Sequence, residues 1–270
     1  MFNKYPEFIE LDPRTKRKPT RSYAMDKEFA HRRFHGFFQH VDLTGKSVLD
    51  LGCCTGALGA YVFEQGAAYY HGVEYDDKLA EIANDNLRKY FDGKQFYISK
   101  MFMEEFFKQN DKRFDYIVAS GVIYAYYNPS ELLDQLVSIS DNIIIESRHP
   151  VKRWLKEMFG IEMKQEELEK LPLVVYYPNK KASMMYSNRT ANVRFNGSAP
   201  TKGFIDYYMD MLGYKCDSTV YATSKSMNPH VYNSTKRFAC MYTKQSRTTQ
   251  ARGFKDAIQR KDHRVSEYMT

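Results

Sequence analysis

Tryptophan is almost absent from this chain, with one residue in 270, and cysteine is scarce, with four. Cys53 and Cys54 are adjacent, Cys216 and Cys240 lie far from them, and no C-x-x-C spacing occurs. That pattern excludes an obvious zinc site or disulfide framework, so no metal is expected and the thiols read as reduced and packed. No apolar run approaches the ~20 residues of a membrane-spanning helix, and no apolar leader follows Met1. The chain is therefore expected to be cytoplasmic, with no membrane partner. Repeats and low-complexity segments are missing too.

Charge of one sign is also scarcer than the net value of +7 suggests. Residues 1–33 carry nine Lys/Arg against five Asp/Glu, and residues 244–270 carry seven against three, but residues 34–243 are balanced at twenty-four against twenty-five. The body is neutral and the ends are basic. Basic ends can contact phosphate, although such runs are more often solvated segments.

What the chain has in plenty is aromatic: 22 Tyr and 18 Phe. With this length a full core can be buried, as one large α/β domain or a domain with an elaboration. The organising stretch is Ser47-Val48-Leu49-Asp50-Leu51-Gly52-Cys53-Cys54-Thr55-Gly56-Ala57-Leu58-Gly59. A short apolar run, an acid, small residues and a helix-like segment read as strand, tight loop, helix. Glycines at such a junction permit φ > 0 and close approach of a ligand, and the helix N-terminus adds N–H donors. The spacing is not the G-x-G-x-x-G of nicotinamide enzymes, and no Gly-Lys-Ser/Thr follows the loop as a P-loop requires.

An alternating pattern surrounds this loop. Residues 25–40 carry Phe29, Ala30, Phe34, Phe37 and Phe38 near helical spacing. Strands are expected at Tyr69–Tyr75, Gln95–Ser99, Phe114–Ser120 and Asn142–Ser147, with helices at Asp77–Tyr90 and Pro129–Ser138. Strands alternating with helices imply a parallel sheet with right-handed crossovers, whose ligands bind beyond the carboxyl ends of the strands.

The Asp50-x-Gly52-x-x-x-Gly56 loop, Glu74 closing the second strand, and Phe114-Asp115-Tyr116-Ile117-Val118 opening the fourth together resemble the class I S-adenosylmethionine-dependent methyltransferases. The resemblance covers residues 42–150, with a weaker echo at 199–243. It implies a Rossmann-like α/β fold: a mostly parallel seven-stranded sheet, helices on both faces and a lid insertion. It also implies S-adenosylmethionine as cofactor. The cofactor-side residues would be Asp50, Gly52, Cys53, Cys54 and Gly56 in the loop, Glu74 on the ribose hydroxyls, Met101 at the adenine and Ser120 after the fourth strand. A carboxylate suits a vicinal diol because it accepts two hydrogen bonds at once. Two departures stand out: Cys54 occupies a position where the family commonly has glycine, and Lys100-Met101 stands where an Asp often meets the adenine.

Ser120-Gly121-Val122-Ile123-Tyr124-Ala125-Tyr126-Tyr127-Asn128-Pro129 resembles the corresponding segment of small-molecule methyltransferases and of the wobble-uridine tRNA carboxymethyltransferase group, with Ala125 replacing the usual His. It lacks the second proline and the aromatic of the Asp/Asn-Pro-Pro-Tyr/Phe motif, which disfavours base N-methylation of that type. The acceptor is expected to be a small molecule or tRNA. Methyl transfer from a sulfonium depends mainly on positioning, and a base is needed only if the acceptor must lose a proton. Tyr124, as a substrate-orienting group, and His149, as a base, are the candidates on the catalytic side. A non-catalytic S-adenosylmethionine-binding or interaction scaffold protein is the competing reading, and cofactor titration would separate an interaction scaffold from the enzyme.

Domain boundaries are expected at 1–41 for an N-terminal arm and helix, 42–243 for the main domain and 244–270 for a basic tail. Residues 151–198 break the sheet rhythm. Helices are expected at Val151–Phe159 and Gln165–Leu171, then loop at Tyr176–Lys181 and Ser187–Thr190, the whole forming a lid. A helix from Pro200 to Leu212 and strands at Lys215–Tyr221 and Arg237–Thr243 follow.

Overall fold

The computed structural model describes residues 1–9, 27–126, 128–148, 150, 155–156, 160–178, 196–221 and 237–246. Its main strands are β1 (Ser47–Leu51), β2 (Tyr69–Glu74), β3 (Gln95–Lys100), β4 (Tyr116–Ser120), β5 (Asn142–Arg148), β8 (Tyr214–Tyr221) and β9 (Arg237–Lys244). A separate hairpin is built from β6 (Val174–Pro178) and β7 (Asn196–Pro200). Helices α1 (Lys27–Phe37), α2 (Ala57–Glu64), α3 (Asp77–Phe91), α4 (Met103–Gln109) and α5 (Pro129–Ile139) are followed by two more at Gln165–Lys170 and Lys202–Met211.

Strand order is β3-β2-β1-β4-β5-β9-β8. The first five strands run parallel, while β9 pairs antiparallel with both β5 and β8. Strand order reverses between β1 and β4, and at such a switch point the flanking loops diverge and leave a crevice. The central strands are apolar without alternation because helices cover both faces. Phe34, Phe37, Tyr61, Phe63, Ala83 and Leu87 pack on one side, and Phe106, Leu132, Leu136, Ile205 and Met209 on the other.

Local polar contacts fix the framework. Asp115 lies just before β4, and its Oδ2 accepts from the Ser47 amide at 2.9 Å and the Ser47 hydroxyl at 2.7 Å. The Phe-Asp-Tyr-Ile-Val motif thus stitches the start of β4 to β1. Asp76 caps α3, accepting from the Lys78 and Leu79 amides, as an N-cap carboxylate does. At the chain start, Phe2, Phe8 and Ile9 are buried in the same core as α2 and α3. The Thr55 hydroxyl donates to the Phe8 carbonyl at 2.6 Å, so the described part of the arm braces the back of the glycine loop.

The structure departs from sequence expectation at several elements. The expected loop at Tyr176–Pro178 is the end of β6, and Pro200 ends β7 rather than opening a helix; the helix starts at Lys202, capped by the Thr201 hydroxyl. Val174, Val175 and Tyr176 have strand propensity, and a pairing partner more than twenty positions away decides the matter. The first helix ends at Phe37, three residues before the expected end of that segment, and α4 was not anticipated. Only residues 155 and 156 of the expected helix at 151–159 are described, and the segment Ser187–Thr190 lies outside the described residues.

Candidate active site

Asp50 sits on β1 directly below the glycine loop. Gly52 (φ 76°) and Gly56 (φ 80°) both occupy the left-handed region. A Cβ on Gly52 would also come within 2.9 Å of Val122 Cγ1, so the loop needs glycine there for space as well as for φ. The Gly52 and Cys53 amides both donate to the Val73 carbonyl, at 2.8 and 3.1 Å, which ties the loop to β2.

Cys54 is left-handed too, at φ 50°. This explains why the family prefers glycine here: a side chain in this region costs roughly 1–2 kcal/mol. Cys54→Gly is expected to raise unfolding stability by about 1 kcal/mol, less whatever the thiol contributes in packing. Urea unfolding checks this, and a clear loss of stability would contradict it.

Glu74 closes β2 with one oxygen turned to the loop and the other to the turn that follows the strand. Its Oε2 accepts from the Cys54 amide and its Oε1 from the Asp76 amide, each at 3.0 Å. Asp50, Glu74 and Glu146 are 4%, 3% and 4% exposed, so three carboxylates are buried around this end of the sheet. They do not ionise alike. Burial pushes Asp50 up to about 7, against the Tyr70 hydroxyl that donates to its Oδ2 at 2.7 Å and the Arg33 charge. Burial acts on Glu146 in the same sense, but the Arg33 and Arg237 charges and the hydrogen bonds from Arg33 and Ser120 outweigh it and hold the carboxyl at about 2.

Glu146 is the hub of a buried polar network that the sequence did not announce. Arg33 reaches across from α1 and forks onto both Glu146 oxygens, with Nε to Oε1 at 3.2 Å. Arg33 Nη2 also donates to the Ser120 hydroxyl at 2.5 Å, and that hydroxyl donates to Glu146 Oε2 at 2.5 Å. From β9, Arg237 places Nη1 3.3 Å from Glu146 Oε2 and donates from Nη2 to the Tyr124 hydroxyl at 2.8 Å. The Tyr124 ring also faces the Arg148 guanidinium, 4.5 Å from the ring centroid, with Arg237 at 5.5 Å. Charge-assisted bonds of this kind fix orientation strongly in a low-dielectric site.

The expected site residues therefore fall into two groups. Asp50, Gly52, Cys53, Cys54, Gly56 and Glu74 surround one loop at the β1–β2 edge. Ser120 and Tyr124 join Glu146, Arg33 and Arg237 beyond β4 and β5. Met101 follows β3; its amide donates to the Glu74 carbonyl at 3.1 Å, and its side chain packs toward the α4–α5 core. Beside it, Phe102 stacks on Tyr75, with centroids 5.6 Å apart and planes 11° from parallel. Neither ring was singled out from sequence, though Tyr75 directly follows the end of β2 and Phe102 lies two residues past the end of β3. His149 and Tyr127 lie outside the described residues. A signal for Glu146 was present: it is the one acid in the buried run Asn142–Ser147. Arg33 and Arg237 gave none.

A five-stranded parallel half continued by an antiparallel pair, with a glycine loop at the switch point and an acid ending the next strand, defines the class I S-adenosylmethionine-dependent methyltransferases. The chain belongs to the methyltransferase-domain family, whose model matches residues 42–188, more than half of the chain. An uncharacterized protein of Haemophilus influenzae is 31% identical over 121 residues, which are 43% of this chain and 47% of that one; the match spans about half the length of this curated relative. Among solved structures, the chain resembles magnesium protoporphyrin IX methyltransferase from Synechocystis PCC 6803 with bound S-adenosylhomocysteine. There the TM-score is 0.56 at 12% identity, covering 90% of this chain and 94% of that one. It also resembles the Burkholderia thailandensis 1,6-didemethyltoxoflavin-N1-methyltransferase, with a TM-score of 0.53 at 13% identity, covering 82% and 80%. At these identities the likeness is one of fold. Among the described residues no helix is long and apolar enough to cross a membrane.

Proposed function

We propose that this chain transfers a methyl group from S-adenosylmethionine to an acceptor bearing an anionic group, bound beside Tyr124. The observation that carries the first half is Glu74, buried against the amides of Cys54 and Asp76 where the glycine loop meets β2. A carboxylate offers about four acceptor positions, so holding two amides is compatible with receiving a ribose diol. The donor set fits the cofactor in its other parts as well. Buried carboxylates suit a sulfonium cation, and the stacked Tyr75 and Phe102 offer π-faces to an adenine. Met101 would line the adenine edge, and Asp50, Gly52, Cys53 and Gly56 would shape the pocket for the amino-acid portion. S-adenosylmethionine supplies the electrophilic methyl when bound, and the chain's task is to position and desolvate the nucleophile.

On the acceptor side, the Tyr124 hydroxyl and the guanidinium groups of Arg148 and Arg237 would bind a carboxylate or phosphate of the substrate, with the Tyr124 ring packing against it. Ser120 acts here through its hydrogen bonds to Arg33 and Glu146, holding the end of β4 in place. His149, next to Arg148 in sequence, is the candidate base for acceptors that must lose a proton. The insertion 151–198 and the N-terminal arm would close over this mouth. That reading is supported by the Ser198 hydroxyl, which donates to the Tyr126 carbonyl at 2.9 Å and so ties β7 to the turn carrying Tyr124.

Parallel assays of methyl transfer to a metabolite extract and to extracted tRNA test the reading. A small anionic acceptor predicts turnover with the metabolites, insensitive to removal of residues 247–270 and to neutral substitution of Arg14, Lys16, Arg17 and Lys18, changes that spare the buried Phe2, Phe8 and Ile9. Turnover on tRNA that weakens steeply with salt and with those changes would replace that acceptor with RNA. Cofactor binding with no turnover on either would favour the scaffold. Tyr124→Phe is expected to leave S-adenosylhomocysteine binding unchanged and to raise the acceptor KM roughly fivefold, the value of about 1 kcal/mol for one hydrogen bond. An unchanged KM would remove Tyr124 from the acceptor site.

A further inference from the structure

A second cluster of reactive side chains lies away from the strand ends, between the helix Lys202–Met211 and the β8–β9 pair. Cys216 on the edge strand β8 stands opposite Tyr242, and Cys240 on β9 stands opposite Thr219, with a bulge between Cys216 and Ser218. Both are free thiols, Cys240 buried and Cys216 partly exposed. The two sulfurs and an Asp206 carboxylate oxygen lie within 4.8 Å of one another. Thr219 Oγ1 bridges the pair, 3.4 Å from the Cys216 sulfur and 3.5 Å from that of Cys240. Lys202 lies one turn before Asp206 and pairs with its Oδ2 at 2.5 Å, while the Tyr242 hydroxyl donates to Oδ1 at 2.7 Å.

We propose that Cys216 and Cys240 form a redox-active dithiol, oxidised by hydroperoxides at Cys216 and closed to a disulfide by Cys240. The assignment of roles follows from exposure: the attacking sulfur must be reachable, and the resolving one must lie beside it. The Cys216 thiolate attacks the terminal peroxide oxygen, the O–O bond breaks, and the other oxygen leaves as an alkoxide that takes up a proton to give the alcohol (water when the oxidant is hydrogen peroxide), leaving a sulfenic acid. Cys240 sulfur then attacks Cys216 sulfur; the S–S bond forms, the S–O bond breaks, and the hydroxyl leaves as water with the Cys240 proton. Two thiols lose two electrons and two protons, and one hydroperoxide is reduced to water and the corresponding alcohol, or to two waters if it is hydrogen peroxide. The bulge on an edge strand gives the backbone latitude to bring the sulfurs to the ~2 Å of a disulfide.

The surrounding charges support the same division. A hydrogen bond from the Cys240 thiol, helped by Thr219 and the Lys202 ammonium, holds Cys216 below the ordinary thiol range despite burial and the Asp206 charge. That same bond, with burial, pushes Cys240 up. A depressed thiol with a neighbouring resolving thiol is the arrangement that makes a cysteine peroxide-sensitive.

The test uses the full chain. Iodoacetamide labelling of Cys216, followed by peptide mass spectrometry, is expected to reach its midpoint clearly below the ordinary thiol range, and Lys202→Met should move that midpoint upward while Lys202→Arg leaves it. One equivalent of hydrogen peroxide should yield a Cys216–Cys240 cross-linked peptide that dithiothreitol reverses. Cys240→Ser should instead accumulate a dimedone-reactive sulfenic acid on Cys216. The proposal fails if Cys216 labels with the ordinary thiol midpoint of about 8.5, or if peroxide drives Cys216 to sulfinic acid while Cys240 stays free. Cross-links to Cys53 or Cys54, or a tightly bound zinc ion blocking both thiols, would overturn it equally.

Discussion

Glu146→Ala is expected to lower unfolding stability by about 3–5 kcal/mol, the cost of removing one partner from a buried ion pair. The carboxylate holds Arg33 through a two-pronged contact, binds the Ser120 hydroxyl and pairs with Arg237. Without it, two guanidinium groups face each other across the end of β5. The network's net worth over an apolar packing is a separate matter, since desolvation offsets much of the attraction. The double substitution Arg33→Met with Glu146→Met should therefore recover part of the loss. Urea unfolding of Arg33→Met, Glu146→Met and the double variant closes the cycle and gives the coupling. A single-variant loss below about 1 kcal/mol would show that the contact is no stronger than a surface pair.

The same carboxylate and Asp50 shape the acid response with opposite signs. Glu146 titrates at about 2 when folded, below its ordinary 4.5, so its contribution is complete above pH 4.5 and is lost as pH falls toward 2. Asp50 titrates at about 7 against an ordinary 3.8. Its contribution is present below 3.8 and lost as pH rises toward 7, because the unfolded carboxyl ionises while the folded one resists. Each slope approaches about 1.4 kcal/mol per pH unit within its window. Stability should thus peak near pH 4, other groups apart, and Asp50→Asn should flatten the decline on the neutral side while leaving the acid limb unchanged. An unaltered neutral limb in that variant would mean that Asp50 is ionised at neutral pH.

Local signals carried the parallel half of the sheet. The apolar run before Gly52, the acid ending β2 and the amphipathic α3 each express a short-range rule: a two-sided buried strand, a loop needing positive φ, or a 3.6-residue period. The last two strands were placed as well, at Lys215–Tyr221 and Arg237–Thr243 against Tyr214–Tyr221 and Arg237–Lys244; the hairpin was not. β6 and β7 pair across a long intervening stretch, so Tyr176, expected as loop, becomes strand through its pairing with Ser198. The site divides in the same way. Glu74 was legible because its position relative to the loop is fixed by adjacent strands. Arg33, Glu146 and Arg237 come from α1, β5 and β9, and no spacing rule links them; only the sheet order brings Arg237 opposite Arg148. The Cys216–Cys240 approach is likewise a product of strand pairing.

Glu74→Ala is expected to weaken S-adenosylhomocysteine binding roughly ten- to hundredfold. The side chain is proposed to hold two ribose hydroxyls, and leaving such groups unpaired in a buried site costs about 1–3 kcal/mol. The same substitution removes the acceptor now serving the Cys54 and Asp76 amides, so the loop itself should lose definition and the chain some stability. Glu74→Gln separates the two effects. An amide oxygen can still accept from the Cys54 N–H, but its NH2 group cannot accept from Asp76 and offers a neutral partner to the diol, so part of the charge-assisted strength is lost. Binding should fall in the order wild type, Gln, Ala. A melting shift read at increasing ligand concentration measures this, because a ligand stabilises only the folded state that binds it. The wild-type shift should be the largest at every concentration, and the Ala variant should need roughly ten- to hundredfold more ligand to reach the same shift. If all three shift equally, Glu74 serves the loop alone, and the ribose must be held by another group.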